Sequence, residues 1–363
     1  MMPLNFSPRY SITNKIANAL INIEGVKERI KTLPITPSVL SGLRESAKLY
    51  STHYSTMIEG NRLTEKDVKA VIKENKHIPG KERDEKEVKG YYIALAEIEK
   101  LARKKQTLTE KDIQKMHAFV MSAGKAKVKP SLYREGQNVI KDSLSGHIVY
   151  MPPEAKDVPV LICDLVNWLN ETINDIPCPL RAGVAHYQYA TIHPYYDGNG
   201  RTARLLTTFI LHAGGYDLKG LYSLEEYYAK DLSSYYKAIS IGPSHNYYMG
   251  RVEADITPWL EYFIEGMAKA FEKVEYHAKN VSVKLEEDQE KILRKLDPKQ
   301  REILTLFQQQ EIITSQDIAM FFGFSGRSAR QLALEWTKEG FLEIVNLSKK
   351  ARKYKLSENL MAK

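Results

Sequence analysis

The stretch 191-TIHPYYDGNGRTARLL-206 sets an imidazole (His193), a carboxylate (Asp197), a glycine-flanked amide (Gly198, Asn199, Gly200) and two guanidiniums (Arg201, Arg204) within twelve positions. Periodicity predicts a helix over 179–192 that Pro194 ends and a second helix from about Asn199, leaving a tight loop between two helix ends. A helix N-terminus presents unpaired N–H groups and the positive end of the macrodipole, and Gly198 and Gly200 let a phosphate approach that backbone. Arg201 and Arg204, three apart on one face, add guanidiniums suited to bidentate phosphate contacts. Two phosphates fit this cradle better than one. Asp197 beside it is then an anomaly, which a hard divalent cation bridging carboxylate and phosphate oxygens removes, as Mg²⁺ does with only one or two protein carboxylates. His193, with an ordinary pKa of about 6.5, suits taking a proton from a hydroxyl. Singly, a His beside a Pro is usually a packed core residue and Gly-Asn-Gly is usually a turn; His193 and Asp197 are too few ligands for zinc. Their order and spacing together point to phosphoryl or nucleotidyl transfer from a polyphosphate to an alcohol.

The rest of the chain frames this loop. Its 363 residues, 43% of them hydrophobic, suffice for two or three domains. The start, MMPLNFSPRYSITNK, lacks an apolar export region, and no run reaches the roughly 18 apolar residues of a membrane helix. The expectation is a soluble, cytoplasmic protein with no membrane partner. Cys163 and Cys178 form no CxxC, so neither a zinc site nor a disulfide framework is expected. The net charge of +8 is modest, but residues 291–363 hold 14 Lys/Arg against 8 Asp/Glu.

Helical periodicity dominates, so the fold class is mainly α. Thr36 and Pro37 open a helix whose stripe of Leu43, Ala47, Tyr50, Tyr54, Met57 and Ile58 ends at Gly60. Thr64 with Asp67 and Thr109 with Asp112 are two further helix starts, and residues 84–105 read as a charged surface helix. Residues 137–159 break the pattern: Val139-Ile140 and Ile148-Val149-Tyr150 flank a Ser/Gly turn, a lone hairpin bordering a cleft. Helices resume over 158–173, 179–192, about 199–213 with Gly214-Gly215 as the stop, 225–241, and from Pro258. After a charge-rich junction at 284–300, helices over 298–310, 315–321 and 326–339 precede two strands, FLEIV and KYKLS. Three helices and a basic hairpin make a winged helix-turn-helix.

At the opening loop the sequence reads HPYYDGNGRTAR, which resembles the Fic-family signature H-P-F-x-[D/E]-G-N-G-R-x-x-R with Tyr195 in place of Phe. The likeness extends over about 36–275, through LTEKDIQKMHAFV, YYKAI and DITPWLEYF. It implies a Fic-type helical bundle with a β-hairpin flap, carrying the C-terminal winged helix-turn-helix. The domains expected are an N-terminal helical region over 1–108 with an inhibitory helix ending near Glu59, a catalytic core over 109–275 with its flap at 137–153, a helical linker over 276–296, and the winged domain over 297–363. The implied activity is transfer of AMP from ATP, with Mg²⁺ or Mn²⁺, to a Ser, Thr or Tyr hydroxyl of a target protein or of the chain itself. By the resemblance His193 is the general base and Asp197 holds the metal on the α- and β-phosphates. The backbone of Gly198, Asn199 and Gly200 forms the anion hole, Arg201 and Arg204 hold the β- and γ-phosphates, and Tyr235 lies on the nucleotide side. The flap docks the target by strand addition, with Ile148 and Val149 in contact. The related phosphotransferase branch departs from the motif where GNG stands here, which favours AMP transfer.

The segment 55-STMIEGN-61 matches the family's inhibitory motif through Ser55, Glu59 and Gly60. Its physical case is independent: two arginines prepared for phosphates are unpaired in an empty site, and a carboxylate at a helix end can stand in. Glu59 is expected to pair with Arg204 and obstruct the γ-phosphate. In some relatives the equivalent glutamate also helps remove AMP, and de-AMPylation stays open here. In the tail, Arg327 and Arg330 open a recognition helix, and Lys349, Lys350 and Arg352 lie on the wing, a face suited to DNA phosphates. Protein contact or homodimerisation is the equal alternative for that face. The competing reading of the whole chain is a nucleotide-sensing, DNA-binding transcriptional regulator, against which stands the complete catalytic set.

Overall fold

The computed structural model describes residues 6–32, 37–141, 146–242, 245–307, 310, 312–346 and 352–357, with backbone alone at 37–39 and 280–295. Thr36, the Ser/Gly turn at 142–145, Lys349 and Lys350 lie outside the described residues. Two compact units divide at Tyr276/His277.

In the first unit the helices are α1 (Asn14–Thr32), α2 (Pro37–Ile58), α3 (Glu65–Lys73), α4 (Glu82–Ala102), α5 (Glu110–Val120), α6 (Val158–Glu171), α7 (Cys178–Ile192), α8 (Asn199–Ala213), α9 (Leu224–Lys230), α10 (Leu232–Ile239) and the first part of α11 (Thr257–Lys295). Thr64 and Thr109 close capping boxes with Asp67 and Asp112, as their spacing predicts. α7 is buried on every side, which a helix achieves only at the centre of a bundle. Gly183 makes this possible: a Cβ there would come within 2.8 Å of Leu260 and 2.9 Å of Phe263, while Trp259 Nε1 donates to its carbonyl at 2.8 Å. α7 packs on α8, and the loop joining them is the motif.

Two expectations need correction, and one helix goes beyond them. The 84–105 helix is no surface element: Val88, Tyr91, Leu95 and Ile98 are buried, and its charges crowd one face and the first turn. The helix expected over 225–241 is two, because Asp231 leaves helical geometry (φ −141°, ψ 79°) and caps α10 by accepting from Ser234 N at 2.9 Å. α1 is a helix the sequence reading does not delimit within the helical region expected over 1–108; its Ile16, Ile23, Val26 and Ile30 join the main core. The hairpin forms a two-stranded sheet, as expected, with one isolated bridge beyond it. β1 (Ile140–Lys141) and β2 (Ile148–Tyr150) pair antiparallel, and Met151 extends β2 by donating to His245 O at 2.7 Å and accepting from Tyr247 N at 3.0 Å.

In the second unit α12 (Pro298–Phe307), α13 (Ser315–Phe322) and α14 (Gly326–Lys338) accompany an antiparallel sheet of order β3 (Ile313–Thr314), β5 (Lys353–Leu356), β4 (Leu342–Ile344). Its own core gathers Ile303, Ile318, Ala329, Ala333, Trp336, Phe341 and Tyr354. Arg327 and Arg330 on α14 are exposed and Arg352 is half-buried. Among the described residues no helix is long and apolar enough to cross a membrane.

Candidate active site

α7 stops at His193, which takes a left-handed conformation (φ 52°, ψ 60°) and bonds its N–H to Tyr189 O at 3.0 Å. A side chain in that conformation costs roughly 1–2 kcal/mol, so neighbours must hold it. His193 Nδ1 lies 3.3 Å from Ala190 O, which places the ring proton on Nδ1 and leaves the Nε2 lone pair as acceptor. Burial pushes the imidazole down to about 4 despite the carboxylate charges of Glu59 and Asp197, so it is neutral at pH 7.

The next five residues are braced from both sides. Asn199 accepts from Tyr195 N at 2.9 Å and donates back to Tyr195 O at 2.7 Å, closing the loop on itself. Tyr195, buried, stacks on the His117 ring with centroids 3.5 Å apart. His117 Nε2 donates to Asp197 O at 2.9 Å while its Nδ1 accepts from Ser131 Oγ at 2.7 Å. Burial pushes His117 down to about 4, which keeps it in this neutral arrangement. Gly198 (φ 78°) must be glycine, since a Cβ would also meet Met121 Sδ at 2.9 Å.

α8 begins at Asn199 with no side-chain cap, so its first N–H groups stay open to an anion. Arg201 is 2% exposed, bonds Asp197 Oδ1 through Nη2 at 3.1 Å, and its Nε has no partner among the described residues. A buried donor without an acceptor is costly and fits a missing ligand oxygen. Asp197 Oδ1 also accepts from Gly198 N at 2.6 Å, and its side chain is 53% exposed, leaving it open on the solvent side.

Arg204 is fully claimed. Its Nε donates to Ser55 Oγ at 2.7 Å, and its Nη2 donates to Ser55 O and to Glu59 Oε1, both at 2.8 Å. Burial works against its charge, but the Glu59 carboxylate more than reverses this and raises the guanidinium pKa. Glu59 lies directly against Gly200, where a Cβ would run into its Oε1. The carboxylate thus sits over the first turn of α8, where an anion is favoured. Gly60 (φ 89°) terminates the helix that brings Glu59 there.

Tyr235 lies buried beside Arg204, 4% exposed, with its hydroxyl 3.0 Å from His186 Nε2. The neighbouring Tyr236 is the exposed one, and its hydroxyl donates to Ile58 O at 3.2 Å beside Glu59. Ile148 and Val149 on the hairpin are 51% and 41% exposed. The sequence reading omitted His117, Arg134 and Glu225. Glu225 is buried and accepts from Ser51 of α2 at 2.9 Å and Tyr91 of α4 at 3.0 Å, a second carboxylate holding α2.

Residues 107–211, from the approach to α5 almost to the end of α8, match the family described as Fic/DOC. The chain carries a Fic domain. α2 lies outside the matched segment. The curated protein adenylyltransferase Fic of Drosophila virilis is 29% identical over 199 residues, 54% of this chain and 39% of that protein. The Drosophila erecta protein of the same name is 28% identical over 207 residues, 56% of this chain and 40% of the other. The chain thus spans about two-fifths of the length of these relatives. Among solved structures, a Fic family protein from Desulfovibrio desulfuricans G20 superposes with a TM-score of 0.63 at 23% identity, covering 97% of this chain and 98% of that one. C. elegans Fic-1 superposes with a TM-score of 0.59, also at 23% identity, covering 73% of each chain. The fold around the site is the Fic fold.

Proposed function

We propose that the chain is a protein adenylyltransferase that moves AMP from ATP to a protein hydroxyl and restrains itself through Glu59. The observation that carries this reading is one loop holding a neutral imidazole with a free Nε2 beside an uncapped helix N-terminus and two buried guanidiniums. A DNA-binding regulator that merely senses nucleotide has no use for that base. The names of the Drosophila relatives support the same reaction.

In the proposed reaction the target hydroxyl oxygen attacks the α-phosphorus, its proton passes to His193 Nε2, and the bond to the bridging oxygen breaks to release pyrophosphate. A general base of this kind contributes about 10²–10⁴-fold. Arg201 and the first N–H groups of α8 receive the phosphate oxygens, whose developing charge they stabilise without reorganising. Asp197, with one carboxylate edge toward solvent, would hold a Mg²⁺ or Mn²⁺ ion, which when bound neutralises phosphate charge. Arg204 is the seat for the terminal phosphate, and Glu59 occupies it. Ile148 and Val149 present the hairpin to the target.

For residues 297–363 we propose the winged helix-turn-helix, with Arg327 and Arg330 facing its partner; a salt-dependent mobility shift of the full chain with duplex DNA tests whether that partner is DNA. The reaction itself is tested by incubating Glu59→Gly protein with α-³²P-ATP and cell lysate. Labelled protein adducts are expected, more than from the unaltered chain, and none from the Glu59→Gly/His193→Ala double variant.

A further inference from the structure

Arg134 is a buried cation, 3% exposed, and its partners are all backbone carbonyls. Nε donates to His193 O at 3.0 Å, Nη1 to Gly136 O at 3.0 Å, and Nη2 to Pro153 O. Its own N–H donates to Pro194 O at 3.0 Å. Among the described residues no carboxylate pairs with it, and burial lowers its pKa. A charge kept in such a place is expensive, and a role in filling space needs no charge.

What distinguishes the three acceptors is where they lie. Gly136 precedes β1 and Pro153 follows β2, so they are the two feet of the hairpin; His193 is the strained left-handed residue whose ring is the proposed base. A planar guanidinium presents donors in fixed directions and can span three separate segments at once; a lysine ammonium on a flexible stem cannot hold that geometry. Lesser ties run the same way: Tyr196 Oη accepts from Gly136 N at 2.8 Å, and Asn138 Nδ2 donates to Tyr195 O at 3.1 Å. None of Arg134's bonds reaches α8, Asp197 or α2.

We propose that Arg134 is a positioning residue that fixes the hairpin to the backbone of His193, so that the strand receiving the target and the group receiving its proton share one rigid frame. The inference rests on the adenylyltransferase reading above. It separates two functions of the site: the phosphate cradle on α8 is independent of Arg134, whereas alignment of hydroxyl and base depends on it.

The test uses the full chain in the Glu59→Gly background with Arg134→Lys and Arg134→Gln. Three quantities are measured: ATP affinity by calorimetry, the initial rate of α-³²P-ATP incorporation into lysate protein at saturating ATP, and hydrogen exchange of the Ile140, Lys141 and Ile148–Tyr150 amides. Expected are an ATP Kd within about threefold of the parent, incorporation slowed about tenfold or more, and faster hairpin exchange, with Lys no better than Gln. Unchanged incorporation, a loss of ATP affinity by the same factor as the rate, or a lysine variant that does not fold each overturns the proposal. If the Glu59→Gly parent itself incorporates no label, the adenylyltransferase reading fails, and unchanged hairpin exchange then overturns the tie to His193 separately.

Discussion

Glu59 and Ser55 share Arg204 but hold it differently, and their removal separates restraint from support. Glu59→Gly takes away a partly exposed carboxylate and frees the guanidinium, so incorporation from labelled ATP is expected to rise with little loss of stability. Ser55→Ala removes a buried acceptor from a buried cation, a change that costs about 1–3 kcal/mol, so a lower unfolding midpoint and a smaller rise in incorporation are expected. Thermal unfolding and the labelling assay on both variants check the pair; a Ser55→Ala protein as stable as the parent removes Ser55 from this role. The residues legible in the sequence are those that stand in short motifs, His193 to Arg204 in one and Ser55 to Gly60 in the other, the Glu59–Arg204 pair 145 positions apart included. Arg134 and His117 left no such trace, because they act on backbone carbonyls 59 and 80 positions away, and a main-chain acceptor carries no residue identity.

At the scale of elements, α2 is fastened along its length: Ser51 to Glu225, Ser55 to Arg204, and Ile58 O to Tyr236. Glu225→Gln keeps the shape but weakens three charge-assisted bonds, from Ser51, Tyr91 and Ser223, so it is expected to raise incorporation by loosening the same helix, measured against Glu59→Gly. The α7–α8 pair carries a different prediction. His186 of α7 is fully buried between Thr207 of α8 and Tyr235, and burial pushes it down to about 3. Its unfolded pKa is about 6.5, so the unfolded chain binds the proton more readily. The resulting stability is complete above pH 6.5 and is lost as pH falls toward the folded value. The unfolding midpoint should therefore drop between about pH 6.5 and 4, and His186→Gln should flatten that slope. Element existence was legible wherever a cap or an amphipathic stripe announced it, as at Thr64 and Thr109. It failed at β3, two residues visible as a strand only beside β5; at α4 the helix was legible but its burial was not, because the opening ERDEKE conceals the stripe of Val88, Tyr91, Leu95 and Ile98.

The whole molecule has two compact units with separate internal cores, and Trp336 is the only tryptophan after Tyr276. Trp336→Ala is expected to cost the second unit about 3–5 kcal/mol and to leave the first unit's unfolding transition and labelling activity in place. Calorimetry together with the incorporation assay checks this; parallel loss of both transitions would show that the units do not unfold independently. The contact between Glu59 and Arg204 has a consequence at this scale. Donor and acceptor belong to one chain, so the proposed restraint is a first-order property: diluting the protein is expected to leave its specific activity unchanged, whereas inhibition supplied by a second copy would fade. On the adenylyltransferase reading proposed above, Glu59 is a tethered competitor for the terminal-phosphate seat, and the apparent Kd for ATP is the intrinsic one divided by the fraction of chains with the seat vacant. With about 1% vacant, ATP is then expected to bind about a hundredfold more weakly, so that labelling by the proposed enzyme follows nucleotide supply rather than protein abundance.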